Sequence, residues 1–375
     1  MLHVIGGLGT GGTEKVLSRL LAPLRQSGMD AMVVSLTTEG SEGEGMARDG
    51  IEVVALGMGP GASSIGGLLR LVDLVRTKKP SLIQTWMYHA DFAGGLATLF
   101  HRSLPVLWNL RQSNLESLHN KRSTLWLARA CALLSGQWPT RIICGSEAAR
   151  TSHVAFGYEA ARMIVIPNGF DLEAFRPDPV ARREVRAELG IPDTSLVITH
   201  IGRFHSQKDY PNLLGAADLV AAARSDVCVV LCGDGVDYSN PLLAAWATRP
   251  ALAGRFKLLG NRPDVQRILA ASDVAASASI GEGFPNAVGE AMATGIPCVA
   301  TDVGDTADLV GDTGMIVAPA EPQALASEIL GLLDRSPEER SSLGLKARAR
   351  IGELFGLERM ARRYVSVYRE VLGEP

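Results

Sequence analysis

Short apolar runs alternate with amphipathic segments along the whole chain. Strands of a sheet covered on both faces read as continuous apolar runs, whereas covering helices repeat apolar residues every 3.6 positions. The pattern therefore predicts an α/β protein with parallel sheets. In the first half it predicts strands at 2–5, 31–36, 51–55, 82–85, 106–109, 141–144 and 163–166, and helices at 13–26 and 63–78.

The same rhythm restarts in the second half of the chain, after Pro177. The halves are joined by IPNGFDLEAFRPDP (166–179), whose three prolines and Asn-Gly pair are typical of a connector. With 375 residues, the length also favours two domains. The second half is predicted to hold strands at 196–201, 227–232, 256–258, 274–277 and 298–301, and helices at 211–223, 265–271, 285–294 and 322–335.

These patterns set the predicted domain boundaries. An N-terminal domain covers 1–166, a linker covers 167–179 and a C-terminal domain covers 180–353. A last helical segment, 354–372, is expected to return to the first domain. Two such α/β halves are expected to form a cleft lined by the carboxyl ends of their strands, where ligands of open α/β sheets bind.

Composition excludes several classes of protein. The formal net charge is −3, so general nucleic-acid binding has no electrostatic support. No apolar run reaches the ~18 residues of a membrane span, and the N-terminus reads as a strand rather than a signal peptide. The five cysteines form no metal-ligand pattern and fit buried thiols. We therefore expect a cytoplasmic protein.

The strongest candidate for chemistry is GEGFPNAVGE (281–290), between a predicted strand and a predicted helix. Proline suits the first helical position, which would leave the amides of Asn286, Ala287 and Val288 free. Such a helix N-terminus binds phosphate oxygens. Glu290 lies one turn on, placed for ribose hydroxyls, and Glu282 lies where a sugar on that phosphate would sit.

A second motif, HIGRFHSQKDYP (200–211), follows the first strand of the second half. Gly202 permits a turn there, and Arg203 and Lys208 supply two cations at a strand end, which suits a diphosphate. Asp209 is predicted to cap the next helix.

These motifs resemble those of glycosyltransferase family 4. The resemblance rests on Arg203 and Lys208, on Gly233 and Gly235 in GDG, and on EGFPNAVGE with its two glutamates. GGTE (11–14), the connector and GIPCVAT (295–301) fall in family order, so the resemblance covers the whole chain. It implies the GT-B architecture, in which two Rossmann-like domains with parallel sheets face each other across a cleft.

The resemblance also implies roles. Arg203 and Lys208 would neutralise the leaving diphosphate, Glu282 would contact the donor sugar and Glu290 would hold the ribose. The amides of Ala287 and Val288 would bind the distal phosphate, and the segment 260–265 would bind the base. The other donor-binding candidates in these motifs are Arg262, Val265, Gly202, Gly233, Phe284 and Asn286.

The family transfers sugars with retention of configuration and needs no metal or other cofactor. The sequence agrees on the metal, since it shows no Asp-x-Asp on a suitable loop and no His/Cys cluster. One departure is DTAD (305–308), where many relatives have a second Gly and later a Glu. The implied partners are a nucleotide-sugar donor, with UDP as the expected nucleotide, and a saccharide or lipid-linked saccharide acceptor.

The N-terminal GGLGTGGTE (6–14) formally matches a dinucleotide fingerprint. That fingerprint also needs an acidic residue ending the second strand. Glu39 comes too late and falls in a glycine-rich loop, so an NAD enzyme is disfavoured. In the family interpretation Gly11 and Gly12 let the backbone approach the donor phosphates.

Two further features of the first half concern the acceptor side. In WMYHAD (86–91), His89 and Asp91 are expected to face the cleft, and the resemblance suggests that His89 contacts the donor sugar or diphosphate. A basic stretch with Trp126 and neighbouring leucines is compatible with an anionic membrane surface. A solvated helix face explains that stretch equally well.

Two alternatives to a transferase stay open at this point. A non-hydrolysing nucleotide-sugar epimerase shares the architecture and would convert a UDP-sugar without an acceptor. A non-catalytic sugar-nucleotide-binding subunit is the other, although it would tend to lose Arg203, Lys208, Glu282 and Glu290.

Overall fold

The computed structural model describes residues 1–9, 11–59, 61–99, 101, 103–115 and 121–374. The chain divides into two compact units. Unit 1 comprises Met1–Gly169 with Leu357–Pro375, and unit 2 comprises Phe170–Gly356. Residues 170–179, which the sequence assigned to the linker, thus belong to unit 2.

Unit 1 is a parallel α/β unit. Its strands are β1 (Leu2–Ile5), β2 (Met32–Ser35), β3 (Glu52–Ala55), β4 (Ile83–Trp86), β5 (Val106–Leu110), β6 (Arg141–Cys144) and β7 (Met163–Val165). They pair in the order β3-β2-β1-β4-β5-β6-β7. The connecting helices are α1 (Gly12–Gln26), α2 (Gly40–Arg48), α3 (Ala62–Lys78), α4 (Met87–Ala97), α5 (Arg122–Leu134) and α6 (Glu147–Phe156).

Unit 2 repeats this plan with six parallel strands. They are β8 (Leu196–Ile201), β9 (Val227–Cys232), β10 (Phe256–Leu258), β11 (Val274–Ser277), β12 (Cys298–Thr301) and β13 (Met315–Val317), paired in the order β10-β9-β8-β11-β12-β13. The helices are α7 (Pro179–Glu188), α8 (Tyr210–Ala223), α9 (Pro241–Ala247), α10 (Val265–Ala270), α11 (Asn286–Ala293), α12 (Thr306–Val310), α13 (Pro322–Leu333) and α14 (Pro337–Phe355).

The last helix, α15 (Leu357–Leu372), belongs to unit 1. Its buried face carries Tyr364 and Tyr368 into the core formed with α1. Asn109 Nδ2 donates to the Tyr364 hydroxyl at 2.8 Å, and the Tyr368 hydroxyl donates to Gln84. Because both acceptors and donors are buried, these bonds satisfy polar groups that would otherwise be stranded in the core.

Each sheet reverses its strand order once, between β1 and β4 in unit 1 and between β8 and β11 in unit 2. Crossovers on opposite faces diverge at such a point and leave a crevice at the carboxyl ends of the two strands. The segments that follow β1, β4, β8 and β11 are therefore the places where each unit is built to take a ligand.

Several elements differ from the sequence analysis, which did not predict α14 and misjudged the segments of α2 and β13. The glycine-rich segment expected to be a loop is α2, with Glu39 at its N-cap. Gly43 and Met46 are buried there, and Gly43 packs on Leu8, so tertiary packing overrides the poor helix propensity of glycine. Strand β13, which is three residues long, was not predicted.

The described residues contain no helix that is long and apolar enough to cross a membrane. They also contain no group of three His, Cys, Asp or Glu side chains arranged to hold a metal ion. All five cysteines are buried, and none forms a disulfide.

Candidate functional site

The first element of the site in unit 2 is a close backbone approach between the loops after β8 and β9. A Cβ atom on Gly233 would lie 2.0 Å from the carbonyl oxygen of Gly202. The same carbonyl accepts a hydrogen bond from the Tyr210 hydroxyl at 2.6 Å. Gly202 and Gly233 are thus required by the packing of adjacent strand ends, and the two predicted donor-binding glycines lie together.

Lys208 and Glu282 form an ion pair, although they are far apart in sequence. Lys208 ends a short 3-10 turn after β8, and Glu282 lies on the loop after β11. The Ser279 hydroxyl donates to the same Glu282 oxygen at 2.7 Å. Both side chains are about one-fifth exposed or less (21% and 14%). The switch point of unit 2 thus holds a partly shielded cation beside a partly shielded anion.

Neighbouring loops hold the Glu282 loop in place. The amide of Ile280 donates to the Gln207 carbonyl at 2.9 Å, and that of Asp305 donates to the Gly283 carbonyl at 3.3 Å. Gly304 has a φ of +57°, and a Cβ there would lie 2.2 Å from the Glu282 carbonyl oxygen. Gly304 therefore meets both a conformational and a steric requirement for glycine.

Helix α11 begins at Asn286, and Pro285 is its N-cap residue rather than its first helical residue. The Asn286 amide donates to the Phe284 carbonyl at 3.0 Å, so the expectation that this amide is free is wrong. Gly289 makes the first bond along the helix, to the Pro285 carbonyl. The amides of Ala287 and Val288, which lie in the first turn, remain the anion-binding candidates.

Glu290 lies on α11 and is only 8% exposed. Phe284 is equally buried, and its ring packs against Phe170 and Phe355 at centroid distances of 6.1 and 5.6 Å. The side chain of Phe284, a predicted donor-binding residue, is therefore part of the hydrophobic core beneath the loop. Its visible role is to anchor the loop that carries Glu282.

Arg203 and Arg262 differ in their surroundings. Arg203 is exposed, and no ion pair or hydrogen bond involves its side chain among the described residues. Arg262 is engaged by two carboxylates, with Nε 2.8 Å from Asp264 and Nη1 2.6 Å from Glu188. These carboxylates raise the pKa of Arg262. Val265 begins α10 and packs partly buried against the core below the site.

The sequence analysis missed His200 as part of this site. Its ring is buried, and Nδ1 donates to the Ala276 carbonyl at 2.9 Å. Nε2 is buried, has no hydrogen-bond partner among the described residues, and lies 2.9 Å from the position of a Cβ on Gly202. Burial lowers the pKa of His200 to about 4, so the ring is neutral beneath Lys208. His200 lies within strand β8, and nothing in the local sequence indicates that its ring is buried near Lys208.

Asp209 caps α8, as predicted. Its side chain accepts from the Asn212 amide at 3.3 Å. The residue adopts a left-handed conformation with a φ of +44°, which Asp tolerates better than most side chains. The turn places Lys208 immediately before the helix.

In unit 1, the glycine loop and His89 lie at the ends of β1 and β4. Gly11 is the N-cap of α1, and a Cβ on it would lie 2.3 Å from the Glu14 carboxylate. Gly12 opens the helix and is exposed. His89 lies in the first turn of α4 and is exposed, although partial burial lowers its pKa.

Asp91 was expected to face the cleft, and this expectation is wrong. It is fully buried, and the Thr85 hydroxyl donates to its Oδ1 at 2.5 Å. Oδ2 has no partner. Burial raises the pKa of Asp91 to about 8, and the bond from Thr85 opposes that rise. The reason is geometric: His89 and Asp91 are two residues apart on α4, so the helix turns them to different faces.

Comparison with known proteins gives two family matches that cover different halves of the chain. A model described as Glycosyltransferase Family 4 matches residues 10–174, and one described as Glycosyl transferases group 1 matches residues 195–335. Together they span most of both units.

Two relatives and one solved structure illustrate the similarity. The chain is 27% identical to EpsF of Bacillus subtilis (strain 168) over 310 residues, which are 80% of this chain and 79% of that protein. It is 30% identical over 243 residues to the UDP-Gal:alpha-D-GlcNAc-diphosphoundecaprenol alpha-1,3-galactosyltransferase of Escherichia coli, a match of 63% of this chain and 61% of that enzyme.

The solved structure is HepE of Anabaena in complex with UDP and glucose. It superposes with a TM-score of 0.85 at 24% identity, covering 98% of this chain and 99% of that one. At this identity the likeness shows the fold, and it confirms the predicted GT-B class of two Rossmann-like units.

Proposed function

The chain belongs to the group 1 glycosyltransferases, and we propose that it transfers a sugar from a UDP-sugar to a saccharide or lipid-linked saccharide acceptor with retention of configuration. The relative from Escherichia coli is named for a UDP-galactose donor and a diphosphoundecaprenol-linked acceptor, and the HepE structure contains UDP. These names support a UDP-sugar donor. They also favour a role in polysaccharide or glycolipid biosynthesis.

The observation that carries the proposal is the Lys208–Glu282 ion pair at the switch point of unit 2. Departure of a nucleoside diphosphate leaves negative charge on its phosphate oxygens, and cations held near those oxygens stabilise the transition state. Lys208, prepositioned on its turn, and the exposed Arg203 would supply that charge. When the donor binds, the Glu282 carboxylate would release Lys208 and accept hydrogen bonds from the hydroxyl groups of the donor sugar.

The remaining donor contacts follow from the same loops. The amides of Ala287 and Val288 at the start of α11 would bind the distal phosphate. The Glu290 carboxylate would accept hydrogen bonds from the ribose, and Arg262 with Val265 would hold the base. His89 would approach the sugar or diphosphate from unit 1.

In the transfer step, the acceptor oxygen forms a bond to the anomeric carbon while the bond from that carbon to the diphosphate oxygen breaks. The acceptor proton passes to the departing phosphate oxygen, so charge and atoms balance without a pair of acid and base carboxylates of the hydrolase kind. We propose that the reaction needs no metal or other cofactor.

We also propose that unit 1 contacts an anionic membrane surface through α5. Arg122, Trp126, Arg129 and Leu133 follow the i, i+4, i+7, i+11 spacing of one helix face. Trp126 is 76% exposed and Leu133 is 82% exposed. Sedimentation with anionic and neutral vesicles tests this: binding to the anionic ones that Trp126→Ala weakens would support it, and equal or absent binding would refute it.

The test of the main proposal is a donor panel. We expect UDP to raise the melting temperature more than GDP or ADP, and we expect slow hydrolysis of at least one UDP-sugar without acceptor. No response to any of the three nucleotides would overturn the proposal. Conversion of the UDP-sugar to its epimer, with no free UDP formed, would identify an epimerase instead.

A further inference from the structure

Unit 1 contains an open groove of about 610 Å³ between α3 and α4, with α5 at its side. That volume is typical of a site for a small organic ligand. Most of its lining is apolar and comes from three helices and three strand-end loops. The main apolar walls are Leu36, Met58, Leu68, Phe92, Leu96 and Leu127.

One end of the groove is polar and lies at the switch point of unit 1. Gly6 and Thr37 follow β1 and β2, and His89 lies in the first turn of α4. From His89 the helix continues the wall with Phe92, Ala93 and Leu96, at the i, i+3, i+4, i+7 spacing of a single face. The groove therefore starts at the switch point of unit 1 and runs away from it along apolar side chains.

The helix beside the groove is strongly basic. Lys121, Arg122 and Arg129 lie at or on α5, which has no acidic residue in Arg122–Leu134. The two cations at its N-terminal end lie where helices favour acidic groups, and they would complement an anionic ligand. Leu127 of the same helix lines the groove, whereas Arg129 lies over the Phe156 ring at 4.9 Å. Lys121 and Arg122, at the start of α5, are therefore the cations left to complement a ligand.

Apolar side chains extend out of the groove onto the surface. Ile65 lines it and is 66% exposed, and Trp126 on α5 is 76% exposed. Ile65 therefore adds exposed apolar surface at the mouth of the groove, and such surface on a folded unit usually marks a binding site. A purely polar sugar acceptor would use little of it.

We propose that the acceptor is an amphiphile with an anionic head group, whose hydrocarbon chain lies in this groove while its reacting sugar reaches His89. The proposal rests on the proposed glycosyltransferase function and narrows its acceptor class. The apolar walls take the chain, Lys121 and Arg122 complement phosphate on the head group, and the polar end of the groove receives the sugar.

Binding of simple amphiphiles tests the groove without any reaction. Octyl, decyl and dodecyl phosphate are titrated calorimetrically against the full chain, below their micelle concentrations. Each methylene that enters the groove should tighten binding by up to about fourfold, the value set by about 0.8 kcal/mol per buried methylene. Dodecyl glucoside, which has no charge, should bind more weakly than dodecyl phosphate. Affinity independent of chain length would overturn the proposal.

Two variants of α3 form a matched pair for the same titration. Ile65→Gln alters a groove residue, whereas Leu69→Gln alters a residue of similar exposure (64%) one turn away that does not line the groove. We expect Ile65→Gln to weaken dodecyl phosphate binding at least about fivefold and Leu69→Gln to leave it unchanged. Equal losses in both would indicate adhesion to general apolar surface and refute the groove. A change of oligomeric state in Ile65→Gln alone would assign the groove to a second copy of the chain.

Transfer assays then separate this inference from the function on which it rests. With a sugar diphosphate carrying alkyl chains of increasing length as acceptor, KM should fall with chain length in the wild type and much less in Ile65→Gln, while kcat changes little. UDP release with a water-soluble saccharide as the best acceptor would keep the glycosyltransferase function and overturn the amphiphile. The absence of UDP binding in the donor panel would instead remove the function itself.

Discussion

The two switch points of this molecule use opposite chemistry. In unit 2 the loops after β8 and β11 bring Lys208 against Glu282 and leave Arg203 exposed beside them. In unit 1 the end of β1 and the start of α4, which follows β4, border a groove walled by Leu, Met and Phe, with His89 at its end. The same sheet topology thus supports a charged site in one unit and an apolar one in the other, because the loops and covering helices decide what occupies the strand ends.

The contrast also explains what each half is suited to recognise. Charged groups in a partly shielded loop discriminate phosphate strongly, since a charge-assisted hydrogen bond is roughly twice as strong as a neutral one. An apolar groove discriminates mainly by the amount of surface buried. We therefore expect strict donor selection and an acceptor selection that grades with chain length.

The largest expected effect comes from breaking the charged side of this comparison. Lys208→Ala and Glu290→Ala should each lower kcat/KM by at least about tenfold, because each removes a charge-assisted contact to the donor. Lys346→Ala and Glu353→Ala, at exposed positions of α14, are the controls. Wild-type kinetics in both site variants would show that the donor binds elsewhere.

The double variant Lys208→Ala/Glu282→Ala tests whether the two residues act as a unit. If they do, its loss of kcat/KM, expressed as a free energy, should be well below the sum of the losses in the two single variants.

The next prediction tests whether the backbone at Gly304 positions the loop that carries Glu282. In Gly304→Ala the added methyl group would clash with the Glu282 carbonyl oxygen, and the alanine would have to adopt a left-handed backbone conformation. We therefore expect about 1–3 kcal/mol of destabilisation and a lowered kcat. Gly331→Ala, on α13, is the matched control, because no neighbouring atom lies within 4 Å of the position that the added Cβ would take. That variant should be neutral or slightly more stable. Urea unfolding and donor hydrolysis measure both, and full activity in Gly304→Ala would contradict the positioning role.

A smaller effect is expected at the base-binding segment. If Arg262 contacts the base, Arg262→Ala should weaken UDP binding by roughly threefold to tenfold, the loss of one such hydrogen bond. Glu188→Ala frees Arg262 from one of its two carboxylates, so it should leave UDP affinity unchanged or improve it. If both variants instead lose only thermal stability, Arg262 is a structural ion-pair residue.

The smallest effect concerns the buried acid of unit 1. Burial raises the pKa of Asp91 to about 8, so the folded chain keeps its proton while the unfolded chain loses it above about pH 4. Stability from this group is therefore present at low pH and is lost as pH rises toward 8. Asp91→Asn should therefore gain stability over wild type at pH 8.5 and gain little at pH 4.5, measured by urea unfolding. Asp73→Asn, on the exposed face of α3, should show no such pH dependence.

The prediction of the elements shows where local information suffices. Strands such as Leu196–Ile201, Val227–Cys232 and Val274–Ser277 have the bounds that the sequence predicts, since a long apolar run between glycine turns has few alternative structures. Helix α2 was missed because Gly43 gains from its contact with Leu8, and no local pattern reports that contact.

Candidate residues divide in the same way. Lys208, Glu282 and Glu290 could be selected because charges beside glycine turns at strand ends are conspicuous in a sequence. Leu68, Phe92 and Leu127 could not, because a side chain that lines a groove has the same periodicity as one that fills a core. Phe284 and Asp91 show the converse, since both belong to conspicuous motifs and yet have buried side chains.

The sequence by itself determined the α/β class, the two repeats of strand and helix, and the chemical types available for the donor site. Alternation, glycine turns and isolated charges are local properties, and each follows from a few neighbouring residues. Only the tertiary structure decided that Lys208 pairs with Glu282, that His200 lies neutral beneath them and that three helices leave a groove beside His89. These are relations between distant segments, and they depend on strand order and on how side chains share space.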